Sequence, residues 1–246
     1  TGKIVNKSFN IDITDTIKVN EEIVHISKDF NPLILKDNAV KSIIDSKRRS
    51  SIKSNHTATH LLHAALRKVL GEHVQQAGSL VSDDRLRFDL THYNKITKDE
   101  ILEIERLVNH NIQKSIDVED SIQSFENAKD SGAMALFNEK YSDEVRVINI
   151  PGFSKELCGG THVSNTSEIS LFKIVSESSL STGVRRIEAI TGQEALDFFL
   201  DIDQIISDLK VKMNCSKSEL VNRTDEILKD GKSKSRIIKE LNANIQ

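Results

Sequence analysis

The chain begins with short runs of alternating apolar and polar positions and ends in long runs with helical spacing. Near the N-terminus the apolar residues fall in brief, partly alternating groups between polar turns, a pattern that predicts small strands. These apolar positions are Ile4, Phe9, Ile11, Ile13, Ile17, Val19, Ile23, Val24 and Ile26. We therefore expect a β-rich module over residues 1–50.

A clear helical pattern runs over residues 56–70, with Ser54 or Asn55 expected as its N-cap. On a helical wheel of about 100° per residue, apolar and polar side chains separate. The apolar side holds Ala58, Leu61, Leu62, Ala65, Leu66 and Val69, and the opposite side holds His56, His60, His63 and Arg67. One face should pack against a core, and the other should present imidazoles.

The middle of the chain predicts a mixture of strands and one further helix. Alternation predicts paired strands at residues 74–81 and 86–90 and an amphipathic helix at 98–114, with more strands at 145–150, 169–176 and 184–190. Helices and strands do not alternate strictly, which favours the α+β class over a doubly wound sheet. Beyond Gly192 the spacing becomes helical, with a break at 214–218 and a capping-box pair, Ser216 and Glu219, before a second helix.

Composition narrows the class of protein. The 246 residues are 37% hydrophobic and 29% charged, with a formal net charge of −3, so any RNA contact must come from local basic patches. No apolar run approaches the roughly 18 residues of a membrane span, and we expect a cytoplasmic protein. Cys158 and Cys215 occur in unlike contexts, which favours metal binding or burial over a disulfide.

Two separated motifs supply metal-ligand chemistry. His56 and His60 are one helical turn apart and can converge on one ion, although this spacing alone is weak evidence and His63 shares the same face. Farther along, two glycines separate Cys158 from Thr161 and His162, which permits a tight turn. Together, three imidazoles and one thiolate suit a single tetrahedral zinc ion.

At this point the sequence resembles the editing domain of alanyl-tRNA synthetases. The resemblance rests on four strings in matching order, namely NHTATHLLH (55–63), QAGSLV (76–81), CGGTH (158–162) and GVRRIE (183–188). It covers nearly the whole chain, which we interpret as a segment of a longer protein. It implies a small β-barrel-like segment over 1–50, an α+β editing core of the threonyl/alanyl-tRNA synthetase second additional domain type over 51–192, and a helical tail over 193–246.

The resemblance also implies roles for particular residues. His56, His60, Cys158 and His162 would hold zinc, and Thr59, Gln76 and Arg185 would lie near the aminoacyl end of the RNA. The implied activity is hydrolysis of serine or glycine wrongly attached to alanine tRNA, within an alanine–tRNA ligase. Cations expected to contact the acceptor-end phosphates are Lys47, Arg48, Arg49, Lys53 and Arg186.

Other interpretations stay open. Thr59 is also consistent with a helix-surface hydroxyl, Gln76 with a solvated strand residue, and Arg185 or Arg186 with an ion pair to Glu188. The whole segment also fits a zinc-stapled tRNA-binding or dimerising module without hydrolysis, in which the helical tail would form a homodimer. A third alternative is an unrelated metallohydrolase acting on small esters or amides.

Overall fold

The structure is a computed structural model that describes residues 1–6, 9–20, 22–28, 39–134 and 143–245. It divides into two units, Thr1–Ala195 and Leu196–Gln246. The first unit mixes helices with antiparallel sheets, and the second is helical. The predicted α+β class is confirmed. No helix within the described ranges combines the length and apolar character needed to cross a bilayer.

The N-terminal strands form two small sheets. Strands β1 (Gly2–Val5), β2 (Asn10–Ile13) and β5 (Lys41–Ile44) pair antiparallel in the order β2-β1-β5, and β3 (Asp15–Val19) pairs with β4 (Glu22–Ile26). Alternation in β2 buries Ile11 and Ile13. The barrel-like expectation is wrong in one respect, because the strands of the described residues form two separate sheets and close no barrel.

The first helix, α1, spans Ser46–Leu70 and begins nearly three turns earlier than predicted. Its N-cap is Asp45, whose side chain accepts a hydrogen bond from the Arg48 backbone N–H at 3.0 Å. Ser54 and Asn55, the two expected N-caps, instead lie buried inside the helix. The basic residues predicted to follow the strands therefore stand on the first turns of α1.

A four-stranded antiparallel sheet forms one wall of the main core. Its strands are β6 (Gln76–Val81), β7 (Leu86–Thr91), β11 (Phe172–Ser181) and β12 (Val184–Thr191), in the order β11-β12-β7-β6. α1 and α2 (Lys98–Gln113) pack together beside it. The most deeply buried side chains join both layers: Leu61, Leu62, Leu66, Leu86, Phe88, Leu90, Ile104, Phe172 and Ile187. The apolar stripe predicted for α1 is confirmed.

A smaller sheet positions the second motif. It contains β8 (Glu119–Ser124), β9 (Glu144–Ile150) and β10 (Ser154–Leu157) in the order β10-β9-β8, next to the short helix α3 (Phe125–Asp130). Ala128, Val145 and Val147 form its core. The sequence pattern predicts β9 but not β8, α3 or β10. Because β10 ends at Leu157, the chain enters the Cys158 turn directly from this sheet.

The helical part of the chain contains α4 (Gly192–Met213) and α5 (Leu220–Ile245). Glu219 accepts a hydrogen bond from the Ser216 backbone N–H at 2.9 Å, so the predicted capping pair is confirmed at the turn before α5. Many apolar side chains on both helices are exposed, among them Phe199, Leu200, Ile205, Ile227, Leu228, Ile238 and Leu241. The predicted boundaries of the three parts of the chain stay a prediction.

Asn55 ties α1 to the sheet and should make a large contribution to stability. This 1% exposed amide donates to Ser82 O at 2.9 Å and accepts from Thr191 Oγ1 at 2.7 Å. Asn55→Ala leaves both partners unpaired, so we expect the free energy of unfolding to fall by about 2–4 kcal/mol. Denaturant titration measures this change, with exposed Asn94→Ala as the control. Equal midpoints for the two variants would contradict the assignment.

Candidate metal centre

Four side chains from two distant parts of the sequence meet beside α1. His56 and His60 come from the helix, and Cys158 and His162 come from the turn after β10. One ligand atom from each lies within 4.8 Å of the others. The Cys158 sulfur is 3.4 Å from His56 Nε2 and 3.3 Å from His162 Nε2. Tetrahedral zinc with its usual bond lengths separates sulfur from nitrogen by about 3.5 Å, so the donor set fits such an ion.

The imidazole face of α1 is largely buried. His60 and His63 are buried, and His56 is half-buried. The smaller sheet and the Cys158 turn cover this face, so α1 is enclosed on both sides. His63 does not join the cluster, because its Nδ1 lies 3.0 Å from Glu156 Oε1 instead. The structure therefore favours His56 and His60, and not His63, as the candidate metal ligands from α1.

Two neighbouring side chains orient the ligands, and the sequence analysis missed both. Glu156 is 1% exposed, and its Oε2 lies 2.7 Å from His60 Nδ1. Thr57 Oγ1 lies 3.2 Å from His162 Nδ1 and accepts the Val163 backbone N–H at 3.2 Å. These contacts occupy the Nδ1 side of each ring, which is how proteins fix the orientation of metal-binding histidines.

Charges in the cluster favour the thiolate form of Cys158 and the protonated form of His60. Burial alone would raise the pKa of the Cys158 thiol, but hydrogen bonds from His162, His56 and His60 lower it to about 3. Burial would lower the pKa of His60, yet the Glu156 and Cys158 charges raise it to about 10. The Glu156 carboxyl keeps a pKa far below its usual range, because His60 and His63 outweigh its burial. Cys158 is therefore a thiolate at neutral pH, and the thiolate is the form that binds metals.

A second pair of charges holds the turn that carries Cys158. The Arg146 guanidinium binds Asp120 through two hydrogen bonds, of 2.9 and 2.5 Å. It also donates to the carbonyl of Cys158 at 3.2 Å and to that of Gly160. Such a planar donor satisfies several acceptors at once. β9 thus fixes the backbone of the turn from outside the cluster.

A cavity of about 420 Å³ opens next to this cluster of four side chains. His56 belongs both to the cluster and to the cavity wall. The other lining residues are Thr1, Ile44, Asp45, Arg48, Arg49, Ile52, Val81, Gly160 and Thr161. Arg48 Nε lies 3.3 Å from Asp83 Oδ2, whereas no ion pair to Arg49 occurs among the described residues. The cavity therefore places cationic side chains beside the possible metal ligands.

The remaining predicted site residues make contacts of their own outside the cluster. Thr59 Oγ1 donates to Asn55 O at 2.8 Å inside α1, and Gln76 Nε2 donates to Ser79 Oγ at 3.0 Å on β6. Arg185 forms an ion pair with Glu177, and Arg186 binds Asp89 through two hydrogen bonds of 2.7 and 2.9 Å. Their roles toward RNA stay a prediction.

Arg185 and Arg186 do not form the ion pair with Glu188 that was the alternative interpretation for them. Neither binds Glu188, whose carboxylate instead accepts from Ser176 Oγ at 2.9 Å and lies 3.7 Å from Arg85 Nε. Register explains the difference, because Arg186 stands directly opposite Asp89 on the neighbouring strand. Lys47 and Lys53, the other predicted RNA contacts, lie on α1, with Lys47 exposed and Lys53 half-buried.

Sequence comparisons relate this fold and its cluster to the tRNA synthetases. Residues 145–188 match the family described as the threonyl and alanyl tRNA synthetase second additional domain. This match covers β9, β10, the Cys158 turn and most of the two long strands.

Alanine–tRNA ligases are similar to the chain over nearly its whole length. The enzyme of Petrotoga mobilis is 47% identical over 98% of the chain, and that of Clostridioides difficile is 44% identical over 99%. The Fervidobacterium nodosum enzyme is 53% identical over 89%. The chain spans about a quarter of the length of these relatives, between 25% and 28%. The predicted resemblance to alanyl-tRNA synthetases is confirmed.

The two glycines of the turn should differ sharply in their effect on metal binding. A Cβ on Gly160 would overlap His56 at Cε1, whereas a Cβ on Gly159 would meet nothing within 4 Å. Gly160→Ala must displace the His56 ring, so we expect zinc affinity to fall by about 10-fold or more, and Gly159→Ala should stay near wild type. Competition with a chromogenic chelator measures both. Equal affinities would show that His56 is not held against this turn.

Proposed function

We propose that this chain is a zinc-dependent editing hydrolase that removes serine or glycine from mischarged alanine tRNA, as part of an alanine–tRNA ligase. The observation that carries the proposal is the cluster of three histidines and Cys158 at the wall of a cavity, in a chain similar to alanine–tRNA ligases. A pocket for alanine excludes glycine and serine poorly, because one methyl or hydroxyl group changes binding by only about 1–3 kcal/mol. A second, hydrolytic site corrects this error.

The reaction needs one water molecule and one ester bond. Water adds to the ester carbonyl carbon, the bond to the terminal ribose oxygen breaks, and the ribose hydroxyl leaves with a proton. Zinc, when bound, supplies a Lewis acid that positions the substrate or activates water. Thr59 and Gln76 would recognise the hydroxyl group of serine, and Arg185 would lie near the RNA terminus.

The cavity beside His56 would receive the aminoacylated end of the RNA. Arg48 and Arg49 stand on its wall, and Lys47 and Lys53 lie on the same helix. The cations proposed to contact the acceptor-end phosphates are these four and Arg186. With a net charge of −3, binding depends on this local patch and should weaken with salt.

An alternative function is a zinc-stapled tRNA-binding or dimerising module without hydrolysis. Exposed apolar side chains such as Leu200 and Leu228 along the helical tail favour it. A zinc ion held by all four protein ligands would also be closed and structural. Sedimentation of the chain tests the homodimer, which a monomer at high concentration would exclude.

Loss of Cys158 should abolish editing. We expect the chain to hydrolyse serine-charged and glycine-charged alanine tRNA while sparing the alanine-charged form. Cys158→Ala, or a strong chelator, should slow this reaction by about 100-fold or more, since a Lewis acid contributes several kcal/mol. Cys215→Ala is the matched control, because Cys215 lies outside the cluster. Turnover that survives both treatments would exclude a metal role, and tRNA binding without turnover would favour the alternative.

Arg49 should contribute to RNA binding through a phosphate. Arg49→Gln removes one cation from the cavity wall, so the slope of log affinity against log salt should become shallower by about one unit. Filter binding of alanine tRNA at several salt concentrations measures the slope. The exposed Lys114, outside the cavity, provides the control Lys114→Gln. Identical slopes for both variants would place the phosphates elsewhere.

A further inference from the structure

A single buried carboxylate lies behind the metal-binding cluster. Glu156 stands on β10, two residues before Cys158, and is 1% exposed. Its two oxygens face two different rings, with Oε2 2.7 Å from His60 Nδ1 and Oε1 3.0 Å from His63 Nδ1. Ser154 Oγ donates to Oε1 at 3.2 Å. An ionised carboxylate has two oxygens and several lone pairs for these groups. His63 and Ser154 meet it in hydrogen-bond geometry, and His60 meets it as an ion pair outside that geometry.

Only one of the two ring nitrogens of His63 has a hydrogen-bond partner among the described residues. His63 is 2% exposed, and its Nε2 has no hydrogen-bond partner in the described parts of the chain. A proton on Nε2 would therefore be a buried donor without an acceptor, which costs about 1–3 kcal/mol. The proton is better placed on Nδ1, facing Glu156. His63 thus supplies a fixed N–H that holds one oxygen of the carboxylate.

The other oxygen controls the ring of His60. When a metal replaces one ring proton, the remaining proton stays on Nδ1, facing Glu156 Oε2, and Nε2 faces the cluster. A metal ligand needs a free lone pair on the nitrogen that binds, and carboxylate partners on the opposite nitrogen are the usual means of ensuring this. Thr57 has the same relation to His162. Glu156 therefore acts on one candidate metal ligand, His60.

We propose that Glu156 and His63 are positioning residues for the metal centre, with Glu156 setting the tautomer and ring angle of His60 and His63 holding Glu156 in place. The proposal rests on the proposed zinc site but not on the hydrolysis of any substrate. A purely structural role is the competing explanation, since removing one member of a buried charged group destabilises a fold. Metal affinity of the folded protein separates the two explanations.

Glu156→Gln removes the charge and keeps the shape. The Gln carbonyl can accept from only one ring, and its amide group faces the other, so His60 or His63 must change tautomer or turn. We expect the zinc dissociation constant, measured by chelator competition well below the melting temperature, to rise by about 10–100-fold. Cobalt(II) in place of zinc should show an altered visible absorption spectrum. The exposed Glu103 gives the matched control Glu103→Gln, expected to match wild type in both.

Two substitutions of His63 test its part. Asn at this position keeps an N–H near the place of Nδ1, whereas Leu fills the space without a donor. We expect His63→Asn to bind zinc within about threefold of wild type and His63→Leu to lose about 10-fold, as a loosened outer-shell partner should. Equal affinities for the two variants would remove His63 from the proposal.

The metal-binding measurements test this proposal separately from the proposed editing function. A folded Glu156→Gln protein with wild-type zinc affinity and an unchanged cobalt spectrum overturns the proposal, whatever its melting temperature. If this variant does not fold, Glu156→Asp keeps the charge on a shorter side chain that cannot reach both rings, and the same affinity and spectrum apply to it. An absence of hydrolysis in wild type would reject the proposed editing function and leave these metal measurements unchanged.

Discussion

The enclosure of α1 between two sheets is the constraint on which the rest of the structure depends. A helix buried on both sides must satisfy two different chemical demands at once. Toward the four-stranded sheet it offers Leu61, Leu62 and Leu66, which need only close packing. Toward β10 it offers His60 and His63, whose nitrogens need partners out of water. The carboxylate of Glu156 supplies one oxygen at Nδ1 of each ring, so the candidate metal centre and the core are built on one element.

Much of this arrangement is readable from sequence because it is periodic. The 3.6-residue repeat of α1 separates its leucines from its histidines, and the spacing of Cys158 and His162 reveals a second half-site. Long-range pairing is what the pattern does not show. Glu156 and Ser154 alternate with Lys155 and Leu157, so the polar pair reads as the solvated face of a strand, yet both polar residues are buried. Only the partner histidines on α1 make that burial favourable.

The start of α1 escaped prediction for a different reason. Residues 46–53 have mostly basic and hydroxyl side chains and show little apolar periodicity. A prediction from hydrophobic spacing therefore places the start of the helix at the first apolar turn. The helix begins instead where Asp45 caps it. This extension matters for the site, since it places Arg48 and Arg49 in helical register with His56, on the wall of the same cavity. Arg185 and Arg186, in contrast, are already satisfied by Glu177 and Asp89, and a phosphate would have to compete with those carboxylates.

The four candidate ligands are not held equally, and this bears on whether a closed metal shell could open. His60 is fixed from behind by Glu156 and His162 by Thr57. Cys158 is a thiolate on a turn held by Arg146. His56 is half-buried, lines the cavity, and is confined mainly by the backbone of Gly160 against its ring. Within the described residues, displacing His56 breaks no buried polar contact behind its ring, so exchange of one ligand for a substrate group would cost least on the side that faces the cavity.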